Sequence, residues 1–229
     1  MTIAFRPLKW LTAATLIALA VLIALGVWQL ERREWKLALI ASAEERMNEA
    51  PVLLDEALRD GAENAEFRHV RVSGAFLRGR NLFEYSPGAN GPGYRLIAPF
   101  RQADGTVLLV DRGFVPPPHE PWLGWAGAAP VEVTGWVRLG EKRNWFTPDD
   151  DLEGRVFYAR DPQAMARLAG VVIAQPIVIV AERSSSGFPQ GGMELSFSNP
   201  HLGYALTWFG LAGVLIVIYL VLHRSRGRL

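Results

Sequence analysis

LTAATLIALAVLIALGVWQL, residues 11–30, is a run of 20 residues without a formal charge. As a helix rising about 1.5 Å per residue it reaches roughly 30 Å, the hydrocarbon thickness of a bilayer. LGYALTWFGLAGVLIVIYLVL, residues 202–222, is a second such run, of 21 residues. One alone would read equally well as a buried core helix; one at each end of the chain points to two transmembrane helices. The first does not read as a cleaved signal peptide. It passes directly into Glu31-Arg32-Arg33-Glu34, and the only inviting small-x-small site, Ala41-Ser42-Ala43, lies beyond that charged segment.

The chain has 229 residues with 24 basic and 23 acidic side chains, a balance that argues against a nucleic-acid binder. It has no cysteine, which excludes disulfides, thiolate metal sites, thiol nucleophiles and covalent haem attachment. The charge is unevenly placed. Residues 1–30 hold Arg6 and Lys9 and no acid, and residues 201–229 hold Arg224, Arg226 and Arg228 and no acid. Residues 31–200 hold 19 basic and 23 acidic residues. Short basic flanks stay cytoplasmic while long loops translocate largely regardless of charge. The expected organisation is a cytoplasmic tail at 1–10, a transmembrane helix at 11–30 and an extramembrane α+β domain at 31–200. A second transmembrane helix follows at 201–222, then a basic cytoplasmic tail at 223–229.

In the middle region, Arg32 to Ala50 continues as helix to near Pro51, and Val52 to Arg59 suggests a short second helix. The period then changes to two. In FRHVRVSGAF, residues 67–76, Val70, Val72 and Phe76 fall on one face, with His69 and Arg71 facing out. Further strands are expected at 80–85, 94–101, 106–115, 131–138, 155–160 and 177–182, with a hairpin turn at Asp104-Gly105 and a helix over 162–169. Strands in series with short turns predict a mainly antiparallel sheet or small barrel with added helices.

No nucleophile elbow, P-loop, zincin or dinucleotide fingerprint is present. Ser184-Ser185-Ser186-Gly187 reads as a surface loop and Asp149-Asp150-Asp151 as a solvated turn. Of the four histidines, His69 is expected to be exposed, His119 lies in a proline-rich loop without ligand spacing, and His223 ends the second span. His201 is different: it begins that span directly after Pro200. At 100° per residue His201, Ala205, Trp208 and Ala212 share one stripe, with room beside the alanines for a flat ligand. The first span leaves the same leaflet with Trp28, Gln29, Arg32 and Arg33, and the second enters it with His201 and Tyr204. An axial imidazole, aromatic walls and arginines suit a haem and its propionates. The same set also describes an ordinary membrane-interface belt, and residue chemistry alone does not separate the two.

Five segments resemble the surfeit locus (Surf/Shy) family of cytochrome c oxidase assembly factors. They are LGVWQLERREWK (25–36), FRHVRVSGAF (67–76), YRLIAPFRQADGTVLLVDRGFVP (94–116), VTGWVR (133–138) and NPHLGYALTWFGLA (199–212). Phe114 stands where the family often has tryptophan. The resemblance implies an inner-membrane, multi-pass assembly factor of a bacterium, with a periplasmic domain and no reaction of its own. It implies non-covalent, transient haem a binding with His201 as iron ligand; helix register and shared leaflet make Tyr204, Trp208, Trp28, Arg32 and Arg33 the expected surroundings. The implied partners are the catalytic subunit of cytochrome c oxidase, a haem a synthase and the lipid bilayer. Two alternatives stay open: a membrane-anchored scaffold that binds no cofactor, and a membrane-tethered enzyme, for which residues 31–200 offer no convergent set of titratable groups.

Overall fold

The period-two segment beginning at His69 becomes strand β2 (His69–Phe76), and it is here that a sheet closes on itself. The computed structural model describes residues 8–87, 91–123, 130–182 and 199–225. They divide into two compact units, one from residues 1–42 and 196–229, the other from residues 43–195. The second unit holds β1 (Val52–Leu53), α2 (Leu54–Ala57), β2, β3 (Leu82–Ser86), β4 (Gly93–Gln102), β5 (Val107–Val115), β6 (Val131–Leu139), β7 (Val156–Phe157), α3 (Pro162–Ala169) and β8 (Ile177–Ala181). The first holds most of α1 (Lys9–Asn48) and all of α4 (His201–Ser225). The chain is thus α+β, with a mainly sheet domain and two terminal helices long and apolar enough to cross a membrane.

β2 pairs antiparallel with β6 along residues 69–74, then with the far end of β4 along residues 74–76. The ring is completed by β6–β8, β8–β5 and β5–β4. The result is a closed five-stranded barrel with a Greek-key crossover, the architecture that OB-folds share. Gly74 is the junction of two ladders, and a Cβ there would lie 2.1 Å from the Arg101 carbonyl oxygen. β3 pairs with the near end of β4, and β7 is added beside β3.

The antiparallel expectation holds for most of the ring. β5–β8 runs parallel, as do the short β1–β2 and β3–β7 pairings. The hairpin at Asp104-Gly105 is present, with Gly105 at φ +89° and Asp104 accepting from the Thr106 N–H at 2.9 Å. The strand expected at 155–160 is reduced to Val156–Phe157, and Arg155, at φ 59°, lies outside it because that backbone is not extended.

Val70, Val72, Ala98, Phe100, Val110, Val133, Val137, Ile179 and Ala181 fill the barrel core. A second core forms where α3 sets Met165 and Ala169 against Leu82, Ile97, Leu109 and Val178. α3 is fixed at both ends: the Asp161 carboxylate accepts from the Ala164 N–H at 2.9 Å, and Gly170 closes it at φ 65°. β8 is buried on both faces, one turned to the barrel interior and one to α3. A buried ion pair crosses the sheet edge. Arg160 donates to Glu84 through two nitrogens, at 2.7 and 3.0 Å, and burial raises the Glu84 carboxyl pKa against the pull of that arginine.

His69 departs from expectation. Its side chain is only 12% exposed, because the end of α1 covers the outer face of β2. His69 Nδ1 lies 2.9 Å from the Glu49 carbonyl oxygen and its ring stacks on Trp136, whose indole N–H donates to the Met47 carbonyl at 3.0 Å. The expected solvated turn at Asp149–Asp151 is also more ordered than that description. Asp150 accepts from Arg143 at 2.7 Å and from the Tyr158 N–H at 2.9 Å. Ser184–Gly187 lies outside the described residues.

Candidate functional site in the helix pair

In α1 the covered positions recur as Thr12, Thr15, Leu19, Leu22, Gly26 and Gln29, and in α4 as His201, Ala205, Trp208, Ala212, Leu215 and Tyr219. Steps alternating between three and four residues form one seam per helix, the spacing of knobs-into-holes packing. Contacts fix the register as antiparallel. The hydroxyls of Thr12 and Tyr219 share a 2.8 Å hydrogen bond, the Leu8 N–H meets His223 Nε2 at 3.4 Å, and Gln29 meets His201 at the other end. The helices approach so closely that a Cβ on Gly26 would fall 2.5 Å from the Phe209 ring.

This packing corrects one expectation. Ala205 and Ala212 are 1% and 5% exposed: the helix pairing covers them, and they offer no open surface to a flat ligand. What the seam leaves available is its His201 end. There Nδ1 of His201 lies 2.7 Å from Gln29 Oε1. A carboxamide oxygen only accepts, so Nδ1 is the nitrogen that donates to it, and in the neutral tautomer this leaves the lone pair on Nε2. Ligating histidines are oriented in this way, by an acceptor on the nitrogen that does not bind.

The other histidines are differently occupied. Fully buried His223 has Nδ1 at 2.9 Å from the Tyr219 carbonyl, and its Nε2 faces the Leu8 N–H. His119 sits between the rings of Phe83 and Tyr94, with Nε2 3.1 Å from the Gly154 carbonyl. His69 has one nitrogen toward the Glu49 carbonyl and the other 2.9 Å from the Glu182 carboxylate. Among the described residues no group of three or more His, Asp or Glu side chains is placed to hold a bare metal ion.

Around His201 the expected residues separate. Trp208 is half-buried on the His201 stripe, while Tyr204 and Trp28 are exposed on the helix flanks. Arg33 lies four residues after Gln29 and continues the seam, half-buried; Lys36 is the next seam position. Arg32 points away from this row and is exposed, its guanidinium 3.8 Å above the Trp35 ring. The structure therefore joins His201 to Gln29 and aligns Arg33 with them, and it does not bring Arg32 into that row. Sequence reading put Gln29 at the same end of the helices as His201 without giving it a part; its polar side chain at a seam position, among apolar neighbours, was the available signal. Asn199, two residues before His201, carries a carboxamide whose oxygen and nitrogen are both buried without a hydrogen-bond partner among the described residues.

A ligand presenting a Lewis-acid centre and an apolar body suits these groups. Among the described residues His201 Nε2 has no hydrogen-bond partner and the Asn199 carboxamide is unsatisfied, and Arg33 supplies a cation for an acidic substituent.

The SURF1 family profile matches residues 16–213. The chain is 34% identical over 225 residues to surfeit locus protein 1 of Gallus gallus, covering 88% of this chain and 72% of that protein. It is 36% identical over 211 residues to surfeit locus protein 1 of Homo sapiens, covering 82% and 69%. A SURF1-like protein of Monosiga brevicollis is 34% identical over 223 residues, covering 89% and 84%. A match over nearly the whole chain, running from the first apolar helix through the barrel and into the second, places this protein in the SURF1 family.

Proposed function

We propose that this protein is a membrane-anchored assembly factor for haem–copper cytochrome c oxidase, holding haem a transiently at the His201 end of its helix pair and aiding its transfer to the catalytic subunit. The observation that carries this reading is the His201–Gln29 contact of 2.7 Å through Nδ1, which leaves Nε2 as the ring nitrogen for a ligand. Bound haem would supply an iron that takes an axial nitrogen and two propionates that take cations. His201 would ligate through Nε2, Gln29 would hold the ring in its tautomer, and Arg33 would neutralise a propionate. Trp208, Tyr204 and Trp28 would furnish aromatic surface for the macrocycle. No reaction is assigned to the protein itself. In this reading both termini are cytoplasmic, the barrel lies in the periplasm of a bacterial cell membrane, and a haem a synthase is a further partner. The acid-free basic flanks support that orientation.

The competing reading is a scaffold that grips an oxidase subunit and binds no cofactor. The covered alanines favour it, since they show that the seam is used for packing. The deciding experiment is the visible spectrum of the protein purified from cells that make haem a, wild type beside His201→Ala. Haem in the wild type, lost or spectrally shifted in the variant, supports ligation. Haem at an equal ratio with an unshifted spectrum in both removes His201 as ligand, and no haem in either favours the scaffold. Export-dependent phosphatase fused near Gly140 should be active and fused at the C-terminus inactive; the reverse pattern overturns the topology.

A further inference from the structure

The loop joining β6 to β7 carries two aromatic rings that the fold does not use. Trp145 and Phe146 are 86% and 71% exposed, and their ring centroids lie 3.5 Å apart. Single exposed apolar residues are ordinary, but two touching rings on a fastened support are not.

The fastening is local. Asn144 accepts from the Phe146 N–H at 2.9 Å through its side chain and from the Thr147 N–H at 3.0 Å through its carbonyl, and its own N–H donates to the Thr147 hydroxyl at 3.1 Å. Arg143 clamps the base of the turn, donating to Asp150 at 2.7 Å and to the Pro148 carbonyl. Asp150 in turn accepts from the Tyr158 N–H, and Tyr158 lies beside Tyr85, a second exposed aromatic pair with centroids 5.5 Å apart. The tip is held in shape before anything meets it, so docking would cost little ordering entropy.

Charge decides between occupants. Residues 141–153 hold five acids, Glu141, Asp149, Asp150, Asp151 and Glu153, against Lys142 and Arg143. Asp149, Asp151 and Glu153 are exposed around the apolar tip, where Leu152 is exposed as well. A loop that inserts into a membrane surface accompanies its aromatics with Lys and Arg, which attract lipid phosphates, and not with a rim of carboxylates. An apolar tip with an acidic rim is the complement of a protein pocket edged by basic side chains, and tryptophan is the residue most often found at the energetic centre of such contacts.

We propose that the 141–153 loop is a docking tip for a protein partner whose surface offers an apolar pocket rimmed by Lys and Arg, with Trp145 as anchor and Asp149 and Glu153 as charge guides. The inference is independent of haem binding.

The test uses the full chain in its own membranes with Trp145→benzoylphenylalanine as a photo-crosslinking probe and adducts mapped by mass spectrometry. The expected result is protein adducts on peptides that pair apolar residues with Lys or Arg. Their yield should fall about five- to thirtyfold when Asp149→Lys and Glu153→Lys are added, since two attractive rim contacts become repulsive. Unchanged thermal unfolding would show that the charge reversals leave the fold intact. Lipid adducts would make the tip a membrane wedge and overturn the proposal. Adducts within the same chain, adducts insensitive to charge reversal, or no adducts would overturn it too.

Discussion

Replacing Arg160 by Met tests how the sheet edge is held. Arg160 and Glu84 are 7% and 8% exposed, and the two hydrogen bonds between them, 2.7 and 3.0 Å, are bidentate. Arg160→Met leaves a buried carboxylate without its cation; Glu141, 3.4 Å from the other side of the guanidinium, loses a contact at far smaller cost because it is exposed. Breaking a buried pair from one side costs about 3–5 kcal/mol. For a domain of this size each kcal/mol moves Tm by about 2–4 °C, so the expected fall is roughly 6–20 °C. Glu84→Leu together with Arg160→Met removes both charges and should recover most of that loss, since apolar replacement of a whole buried pair is often neutral or stabilising. pH supplies a second signature. Desolvation already raises the Glu84 pKa, so the folded chain binds this proton more tightly than the unfolded chain. The stabilising effect of protonation is complete below the unfolded pKa and is lost as pH rises through the folded one. Without Arg160 the folded pKa rises further, and the deficit of Arg160→Met should shrink on acidification. The assay is thermal unfolding of the full chain in detergent, followed by the β-sheet signal. A fall under about 2 °C, or a double variant less stable than Arg160→Met, would refute the view that pairing of the two buried charges is what holds this edge.

Under the proposed haem reading, Gln29→Leu should weaken haem binding about 10- to 100-fold by removing the acceptor that orients His201, while Gln29→Glu should retain it, both read by spectral titration. In the same titration Arg33→Ala should cost more than Arg32→Ala, because only Arg33 shares the row of Gln29 and His201. Gly26→Val should force the helices apart at Phe209 and lower the unfolding temperature of the full chain in detergent, whereas Gly210→Ala, with open space at its Cβ, should not. Trp136→Phe should lower stability by about 1 kcal/mol, the usual net value of one hydrogen bond, as the Met47 carbonyl loses its indole donor; denaturant unfolding measures it.

Local features of this protein were readable before its coordinates. Charge-free runs marked both apolar helices, and alternating residues marked β2, β4, β5 and β6 to within one or two positions. The long-range features were not readable. Nothing in IVIVA, residues 177–181, says that it lies parallel to β5 and antiparallel to β6, because pairing direction depends on partners dozens of residues away. His69 looked exposed for the same reason: alternation puts it on the outer face, and only the arrival of Met47 and Glu49 covers that face. At the site, the stripe of His201, Ala205, Trp208 and Ala212 was legible from helical period. That the alanines serve contact between helices, and that Gln29 meets His201, required knowing which residues of the other helix stand opposite.

The position of β8 in the ring governs how the domain is made. Synthesis proceeds from the N-terminus, so β2 to β6 exist as chain before Ile177–Ala181 does, yet the last strand lies between β5 and β6. Until it arrives, both neighbours present open backbone edges and the barrel interior lacks Ile177, Ile179 and Ala181. Closure of the domain is therefore a late, long-range event. A chain cut short before residue 177 loses more than one strand: it keeps four of the five ring strands and has no means of joining them into a ring. A damaging substitution within β8 should behave in the cell like a truncation, leaving an edge-exposed intermediate for proteolysis while both apolar helices remain intact.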